Sequence, residues 1–183
     1  DSTDGKTPVE SMIIRDLIPH IDQTYRTIAS REGRLIEGFS MGGFGAGHLG
    51  FKYPELFGSV SIIDGALLDV GSIKGRHADL FQRIFGGQEE NFIAAMPQTL
   101  VEKNADELRG KTVIRQAVGA LVQNNESLHE RLVELNISSD YDVIEGAGHS
   151  HPNVYGGLGE KNWEFYRKAL GGTGEAASAP AGQ

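Results

Sequence analysis

The sequence predicts an α/β fold, with a mostly parallel sheet covered by helices on both faces. Short β-branched or apolar runs alternate with segments whose apolar residues recur at helical spacing, and there is no internal repeat. The chain has 183 residues, of which 39% are hydrophobic and 23% charged, so it suits one domain rather than several. We assign residues 1–170 to this domain and the Gly-, Ala- and Ser-rich segment 171–183 to a disordered tail.

The predicted elements follow in chain order. Pro8 suits the first turn of a helix that apolar spacing extends to Ala29, with a kink expected at Pro19. Strands are predicted at 34–39, 60–63, 112–118 and 141–144. Further helices are predicted from 41 to the residues before Pro54, around 78–85, at 126–135 and at 162–170. Apart from the helix around 78–85, residues 64–87 are expected to be irregular.

A glycine-rich turn connects the first predicted strand to the next helix. Residues 38–42, Gly-Phe-Ser-Met-Gly, fit the pattern G-x-S-x-G, which marks a nucleophile when it lies between a strand and a helix. Glycine is expected on both sides because larger side chains would collide across so sharp a turn. The turn would present the Ser40 hydroxyl at the carboxyl end of the sheet and direct the Met41 N–H towards a developing oxyanion. The alternative is a turn that only packs.

A serine nucleophile needs a base, and the sequence offers six histidines. We favour His149 because it follows the fourth strand in a glycine-containing loop, where enzymes with this motif carry their histidine. His151 lies in the same loop and is the rival candidate. His48 and His129 are expected to pack or to face solvent, and His20 and His77 carry no local signal in either direction.

The acid that would orient the histidine is harder to assign. The segment after the third strand, residues 119–125, contains no carboxylate before Glu126. Asp64, at the carboxyl end of the second strand, is the best candidate because some hydrolases take the acid from that strand end. Glu126 and Asp69 are alternatives, and each of the three carboxylates could instead lie at the surface or cap a helix.

Charge and composition exclude several classes of function. The net charge of −8 has the wrong sign for binding nucleic acid or an anionic membrane, and no apolar run reaches the 18 residues of a membrane span. The absence of cysteine excludes disulfides and thiolate metal sites, and the scattered histidines predict neither a metal site nor another cofactor. The compartment stays open, with a secreted or periplasmic location slightly favoured.

Four aromatic residues are expected in the core rather than in an acyl pocket: Phe81, Phe85, Phe92 and Trp163.

Four segments carry a resemblance to a known family: residues 16–22, 25–27, 37–43 and 53–57. From about residue 8 to 170 the chain resembles the esterase group of α/β-hydrolases, which includes feruloyl and acetylxylan esterases, esterase D and mycolyltransferases. The resemblance implies an α/β-hydrolase fold and a small-molecule or carbohydrate ester as substrate. It also implies that Ser40 is the nucleophile, His149 the base and Met41 the donor of one oxyanion-hole amide.

The chain departs from this family in two places. Such esterases carry an Asp shortly after a glycine equivalent to Gly119, and about three residues that would include it are missing before the segment 128–130, Leu-His-Glu. The N-terminal strands of the family and its second oxyanion donor also have no counterpart here. We therefore expect an open edge on the strand 34–39, paired either by a missing segment or by a second chain.

Three functions stay open at this stage. The first is a serine carboxylic-ester hydrolase that acts on esters such as carbohydrate-linked acyl groups. The second, suggested by the two departures, is a non-catalytic binding module with a hydrolase fold. The third is an acyltransferase, which would use the same residues.

Overall fold

A four-stranded parallel sheet organises residues 1–171, the part of the chain that the computed structural model describes. The strands are β1 (Leu35–Phe39), β2 (Ser59–Ile63), β3 (Val113–Val118) and β4 (Asp140–Val143), in the spatial order β1-β2-β3-β4. The register pairs Phe39 with Ile63 and Ile63 with Ala117, so these strands end at the same edge. Each strand lies within one residue of its predicted bounds, and the parallel α/β prediction is confirmed. The predicted disordered tail falls, beyond Gly171, outside the described residues.

Helices surround the sheet. Helices α1 (Val9–Ser11) and α2 (Ile18–Thr24) precede β1 and are joined by a π-helical turn, Met12–Leu17. Helix α3 (Met41–Lys52) connects β1 to β2. Five helices connect β2 to β3: α4 (Val70–Arg76), α5 (Ala78–Phe85), α6 (Glu89–Ala95), α7 (Pro97–Lys103) and α8 (Ala105–Leu108). Helix α9 (Val122–Glu134) connects β3 to β4, and α10 (His151–Leu158) and α11 (Glu160–Ala169) follow β4.

Two hydrophobic clusters cover the two faces of the sheet, because side chains alternate along each strand. Val60 and Ile62 of β2 belong to the cluster that includes residues of α3, α7, α8 and α9. Ile63 belongs to the other, together with Val154 and Leu158 of α10. Helices therefore pack on both faces, as the sequence predicts.

Glycines allow α3 to pack closely on the sheet. A Cβ atom at Gly47 would lie 3.0 Å from the side chain of Ile62, and one at Gly50 would lie 2.4 Å from that of Val60. The distance at Gly50 is shorter than carbon atoms tolerate, and the distance at Gly47 would require the neighbouring side chain to shift by a few tenths of an ångström. The close packing of α3 on β2 therefore depends on glycine at these positions.

The first helical segment is shorter and less regular than predicted. It ends at Thr24 rather than Ala29, and Tyr25 has an extended backbone with φ −118° and ψ 161°. A π-helical turn lies just before Pro19, where the kink is expected, and in it the Ile18 N–H bonds to the Ile13 carbonyl five residues back. The wide turn directly precedes Pro19, which has no N–H to donate.

The helix predicted around 78–85 is confirmed as α5, with the same bounds, whereas the expectation that the rest of 64–87 is irregular is wrong for the residues of α4. Helices α4 and α5 lie there, and with α6 they enclose Ile73, Phe81, Phe85 and Phe92 in a separate hydrophobic cluster. Asp69 caps α4 by accepting a hydrogen bond from the Ser72 N–H. Helices α4 and α6 have only seven residues each, too few for a strong periodic signal.

The prediction that the three phenylalanines pack in the core is confirmed, whereas Trp163 lies on α11 with 59% of its surface exposed. Two other helices differ from the prediction. Helix α10 was not predicted, and its first two residues belong to the loop expected around His149, whereas α9 begins four residues early, at Val122.

Strand β1 lies at the edge of the sheet. Within residues 1–171 no strand pairs with its outer edge, as the open-edge expectation requires. Apolar side chains of the preceding helical segment are also exposed, among them Val9, Met12 and Leu17. Pairing by a missing segment or a second chain stays a prediction.

We expect Gly50→Ala to destabilise the protein by about 1–3 kcal/mol, because the added methyl group overpacks the contact between α3 and β2. The free energy of unfolding can be measured by urea denaturation. Gly45→Ala is the matched control in the same helix, since a Cβ there meets nothing within 4 Å. The control should be neutral or stabilise by up to about 1 kcal/mol. Equal stability of the two variants would contradict the described packing.

Glu10 anchors the first helical segment to the end of α3. Its carboxylate accepts hydrogen bonds from Lys52 Nζ at 2.7 and 2.9 Å, Tyr53 Oη at 2.5 Å and His48 Nε2 at 2.9 Å. Burial by itself would raise the pKa of Glu10, but these three donors outweigh it and lower the pKa from 4.5 to about 2. The ionised carboxylate is therefore stabilised in the folded state.

We expect Glu10→Gln to lower the free energy of unfolding by about 1 kcal/mol near neutral pH. Because the folded-state pKa lies below the unfolded value, the carboxylate contributes stability above pH 4.5 and loses it as the pH falls towards about 2. The difference between wild type and variant should therefore shrink over this range in urea titrations. A difference that stays constant down to pH about 2 would contradict the assignment.

Candidate active site

Ser40 forms the turn between β1 and α3 by itself. Its backbone has φ 57° and ψ −116°, a conformation that costs a non-glycine residue about 1–3 kcal/mol. Hydrogen bonds hold it there: the Ser40 N–H donates to the Ile63 carbonyl at 3.0 Å, and the Ser40 carbonyl accepts from the Ala66 N–H at 2.8 Å. The G-x-S-x-G motif thus forms the strained strand-to-helix turn that the sequence predicts.

The turn requires glycine at positions 38 and 43 rather than 38 and 42. A Cβ at Gly38 would lie 2.0 Å from the Gly42 carbonyl oxygen, whereas a Cβ at Gly42 would meet nothing within 4 Å. A Cβ at Gly43 would lie 2.8 Å from the Cα of Gly65. The expectation that both flanking glycines avoid a collision is therefore wrong for Gly42, because the close approach of α3 to the segment after β2 falls one residue later.

His149 lies between Ser40 and Asp64. Its Nε2 is 2.9 Å from Ser40 Oγ, and its Nδ1 is 2.6 Å from Asp64 Oδ2. An ionised carboxylate can only accept, so Nδ1 carries the proton and Nε2 is free to accept from the serine hydroxyl. The imidazole is 41% exposed, so one side of this arrangement is open to solvent.

Asp64 follows the last residue of β2 and is completely buried. The backbone N–H groups of Gly119, Ala120 and Leu121 donate to its Oδ1 at 3.0, 3.1 and 2.9 Å. We call this segment, Gly119–Leu121, the cradle. It is the stretch that contains no carboxylate in the sequence, and it binds a carboxylate from the neighbouring strand.

The cradle also determines the charge state of Asp64. Burial by itself would raise the pKa of Asp64, but hydrogen bonds from the cradle N–H groups and from His149 outweigh it and hold the pKa below its ordinary value. Asp64 is therefore ionised at neutral pH. A buried anion with four donors around it is a fixed negative charge next to the imidazole.

Aromatic rings support the imidazole from one face. The ring of Phe39 stacks on His149 with a centroid distance of 4.7 Å and an interplanar angle of 27°. The ring of His151 meets Phe39 edge-on at 5.5 Å and lies 4.4 Å from the ring of Tyr155. His151 thus packs beside the site rather than bonding to Ser40.

The other candidate residues lie away from Ser40. Asp69 caps α4, and Glu126 is exposed on α9. His48 contacts Glu10 and the Ala95 carbonyl, and His129 stacks on Tyr141. His20 and His77 are exposed. Met41, by contrast, directly follows Ser40, begins α3 and is 71% exposed. A backbone N–H in the first turn of a helix has no partner within that helix.

Sequence reasoning missed the cradle and the stacking of Phe39. The cradle acts through backbone N–H groups, which no side-chain pattern reports. Phe39 occupies the variable position before the serine, where alternation along β1 places it on the same face as Glu37. Alternation along β1 was thus the signal that could have predicted the face on which Phe39 lies.

Two further findings concern the described residues as a whole. Within residues 1–171 no group of three or more His, Asp or Glu side chains is arranged to hold a metal ion. None of the helices in this part of the chain is long and apolar enough to cross a membrane.

Comparison with known proteins identifies a family. Residues 2–173 match the family described as "Putative esterase". An esterase of Mycobacterium tuberculosis is 45% identical over 56 residues, which is 31% of this chain and 12% of that protein. An endo-1,4-beta-xylanase/feruloyl esterase of Xylanibacter ruminicola is 32% identical over 82 residues, which is 45% of this chain and 11% of that protein.

Solved structures share the fold. An S-formylglutathione hydrolase from Agrobacterium tumefaciens matches with a TM-score of 0.69 and 22% identity, over 88% of this chain and 57% of that one. A ferulic acid esterase matches with a TM-score of 0.68 and 21% identity, over 86% of this chain and 60% of that one. The chain thus spans about three fifths of the length of these structures, and the predicted α/β-hydrolase fold is confirmed.

The short contact between His149 and Asp64 predicts a spectroscopic signature. We expect the Nδ1 proton of His149 to resonate downfield of the backbone amide region in proton NMR spectra, because strong hydrogen bonds to an ionised acceptor deshield the proton. His149→Gln should remove this resonance, and His151→Gln is the matched control that should retain it. Loss of the resonance in His151→Gln alone would contradict the arrangement.

Proposed function

The chain belongs to the putative-esterase family, and we propose that it hydrolyses carboxylic esters through an acyl-enzyme formed on Ser40. The observation that carries this proposal is the line of hydrogen bonds from Ser40 Oγ through His149 to Asp64. The strained turn at Ser40 and the exposed face of His149 support it further, because together they leave room for a substrate.

Acylation follows from the arrangement of protons. Nε2 of His149 takes the proton of Ser40 Oγ as the oxygen attacks the ester carbonyl carbon. The carbonyl oxygen becomes an oxyanion that the Met41 N–H stabilises. When the tetrahedral intermediate collapses, the bond to the alcohol oxygen breaks, and the imidazolium gives its proton to the leaving alcohol.

Deacylation repeats the sequence with water. Nε2 removes a proton from a water molecule as the water oxygen attacks the acyl carbon, and the imidazolium returns the proton to Ser40 Oγ. The products are the carboxylic acid and the regenerated serine. In our proposal Asp64 stays ionised throughout, fixes the tautomer of His149 and stabilises the imidazolium that forms in each half-reaction.

The position of Asp64 favours catalysis over a non-catalytic binding module. That alternative was motivated by the lack of a carboxylate after β3. Asp64, which directly follows β2, is buried, accepts from three backbone donors and bonds to the same histidine as Ser40. These contacts support Asp64 as the catalytic acid in place of a carboxylate after β3.

We propose acyl esters attached to carbohydrates as the substrate class. The support is the similarity to proteins named feruloyl or ferulic acid esterase, one of which is also named as a xylanase. Transfer of the acyl group to a sugar hydroxyl would use the same residues.

We expect Ser40→Ala to abolish turnover of p-nitrophenyl acetate above background and to prevent labelling by a fluorophosphonate probe, because both reactions form a bond to Ser40 Oγ. Turnover is measured by release of p-nitrophenol and labelling by mass spectrometry of the tryptic peptide. Equal turnover by wild type and Ser40→Ala would overturn the proposal.

Matched substitutions test the partners of Ser40. His149→Gln and Asp64→Asn should each lower kcat by about 10³- to 10⁴-fold, because the serine loses its base or the base loses its tautomer. His151→Gln and Asp69→Asn, which change the rival residues, should stay within about twofold of wild type. A large loss in either control with full activity in its partner would reassign the base or the acid.

A further inference from the structure

The cradle contacts the base as well as the acid. Gly119 donates its N–H to Asp64 Oδ1 at 3.0 Å. A Cβ at Gly119 would lie 2.2 Å from the carbonyl oxygen of Gly148, the residue that directly precedes His149. One residue after β3 thus binds the carboxylate and packs against the histidine loop.

Glycine is required at this position for space and not for backbone conformation. Gly119 does not have a positive φ, so alanine could adopt its backbone angles. The methyl group of alanine would however overlap with the Gly148 carbonyl and lie 2.9 Å from the side chain of Val154. The histidine loop can approach Asp64 as closely as 2.6 Å only if position 119 lacks a side chain.

We propose that the cradle is a carboxylate-binding site that positions the acid against the base, with Gly119 as the positioning residue common to both. Three backbone donors from consecutive residues bind Oδ1 of Asp64, and Oδ2, which the Ala120 N–H also contacts at 3.3 Å, is directed at His149. The inference rests on the proposed function where it concerns catalysis. The binding of a carboxylate by the cradle can be tested without catalysis.

The first experiment substitutes Gly119 by Ala. We expect kcat for p-nitrophenyl acetate to fall about 100-fold with little change in KM, because moving the histidine loop by roughly 1 Å misaligns the proton transfer but leaves the substrate contacts in place. The downfield resonance of the His149 Nδ1 proton should shift or disappear. A purely structural role would leave that resonance in place.

Gly156→Ala is the matched control, since Gly156 lies on α10 behind the same loop and a Cβ there meets nothing within 4 Å. It should keep wild-type kcat and the downfield resonance. If kcat and the resonance of Gly119→Ala match those of Gly156→Ala, the positioning role of Gly119 is overturned.

The second experiment empties the cradle. Asp64→Gly removes the carboxylate, and glycine accommodates the positive φ of 43° at this position. The three freed N–H groups should then bind formate from solution. We expect sodium formate to raise the Tm of Asp64→Gly above its value in sodium chloride of equal ionic strength, with no such difference for wild type.

Formate should also restore part of the p-nitrophenyl acetate turnover of Asp64→Gly, because it returns an acceptor to Nδ1 of His149. Asp64→Asn, whose side chain still fills the space, should show neither effect. If formate leaves the Tm of Asp64→Gly unchanged relative to chloride, the cradle is not a carboxylate site and the inference fails. If formate raises the Tm while Ser40→Ala and wild type turn over ester equally, the cradle stands and the proposed function fails.

Discussion

The hydrogen-bonded carboxylate of Asp64 is the interaction on which the site depends. A fully buried charge is unfavourable unless donors surround it, and the cradle and His149 supply four. These donors come from the loop after β3 and the loop after β4, while Asp64 itself follows β2. One buried anion thus joins three loops at the carboxyl edge of the sheet. Removal of any one donor would leave the buried carboxylate incompletely paired.

Close packing of small residues places Ser40 at the same edge. Because α3 approaches β2 over Gly43, Gly47 and Gly50, the helix starts near the end of the sheet and holds Ser40 at a positive φ. The Ser40 backbone bonds to Ile63 and Ala66, on either side of Asp64. The residues on either side of the acid therefore also hold the strained turn of the nucleophile.

Much of this arrangement could be predicted from the sequence, for identifiable reasons. The strands and the turn at Ser40 carry strong local signals, namely β-branched runs and a motif that has one mechanical role between a strand and a helix. Asp64 could be ranked first because of its position after a strand, but its partners could not, since the cradle uses backbone N–H groups. The short helices α4 and α6 were missed because they are stabilised by packing, together with α5, in a cluster of aromatic and apolar residues separate from the sheet.

A second connection, on the face of the sheet, joins the strand of the nucleophile to the helix after the base. Arg115 of β3 is buried and donates to Glu37 of β1 at 2.8 Å, which neutralises both charges beneath α10 and α11. Tyr155 of α10 donates its hydroxyl to the same carboxylate. Glu37 lies three residues before Ser40 and Tyr155 six residues after His149, so this contact ties the nucleophile's strand to the helix that follows the base. With Asp64 fixing the loops at the edge, Ser40 and His149 are held from two directions, so the serine hydroxyl meets a preorganised acceptor.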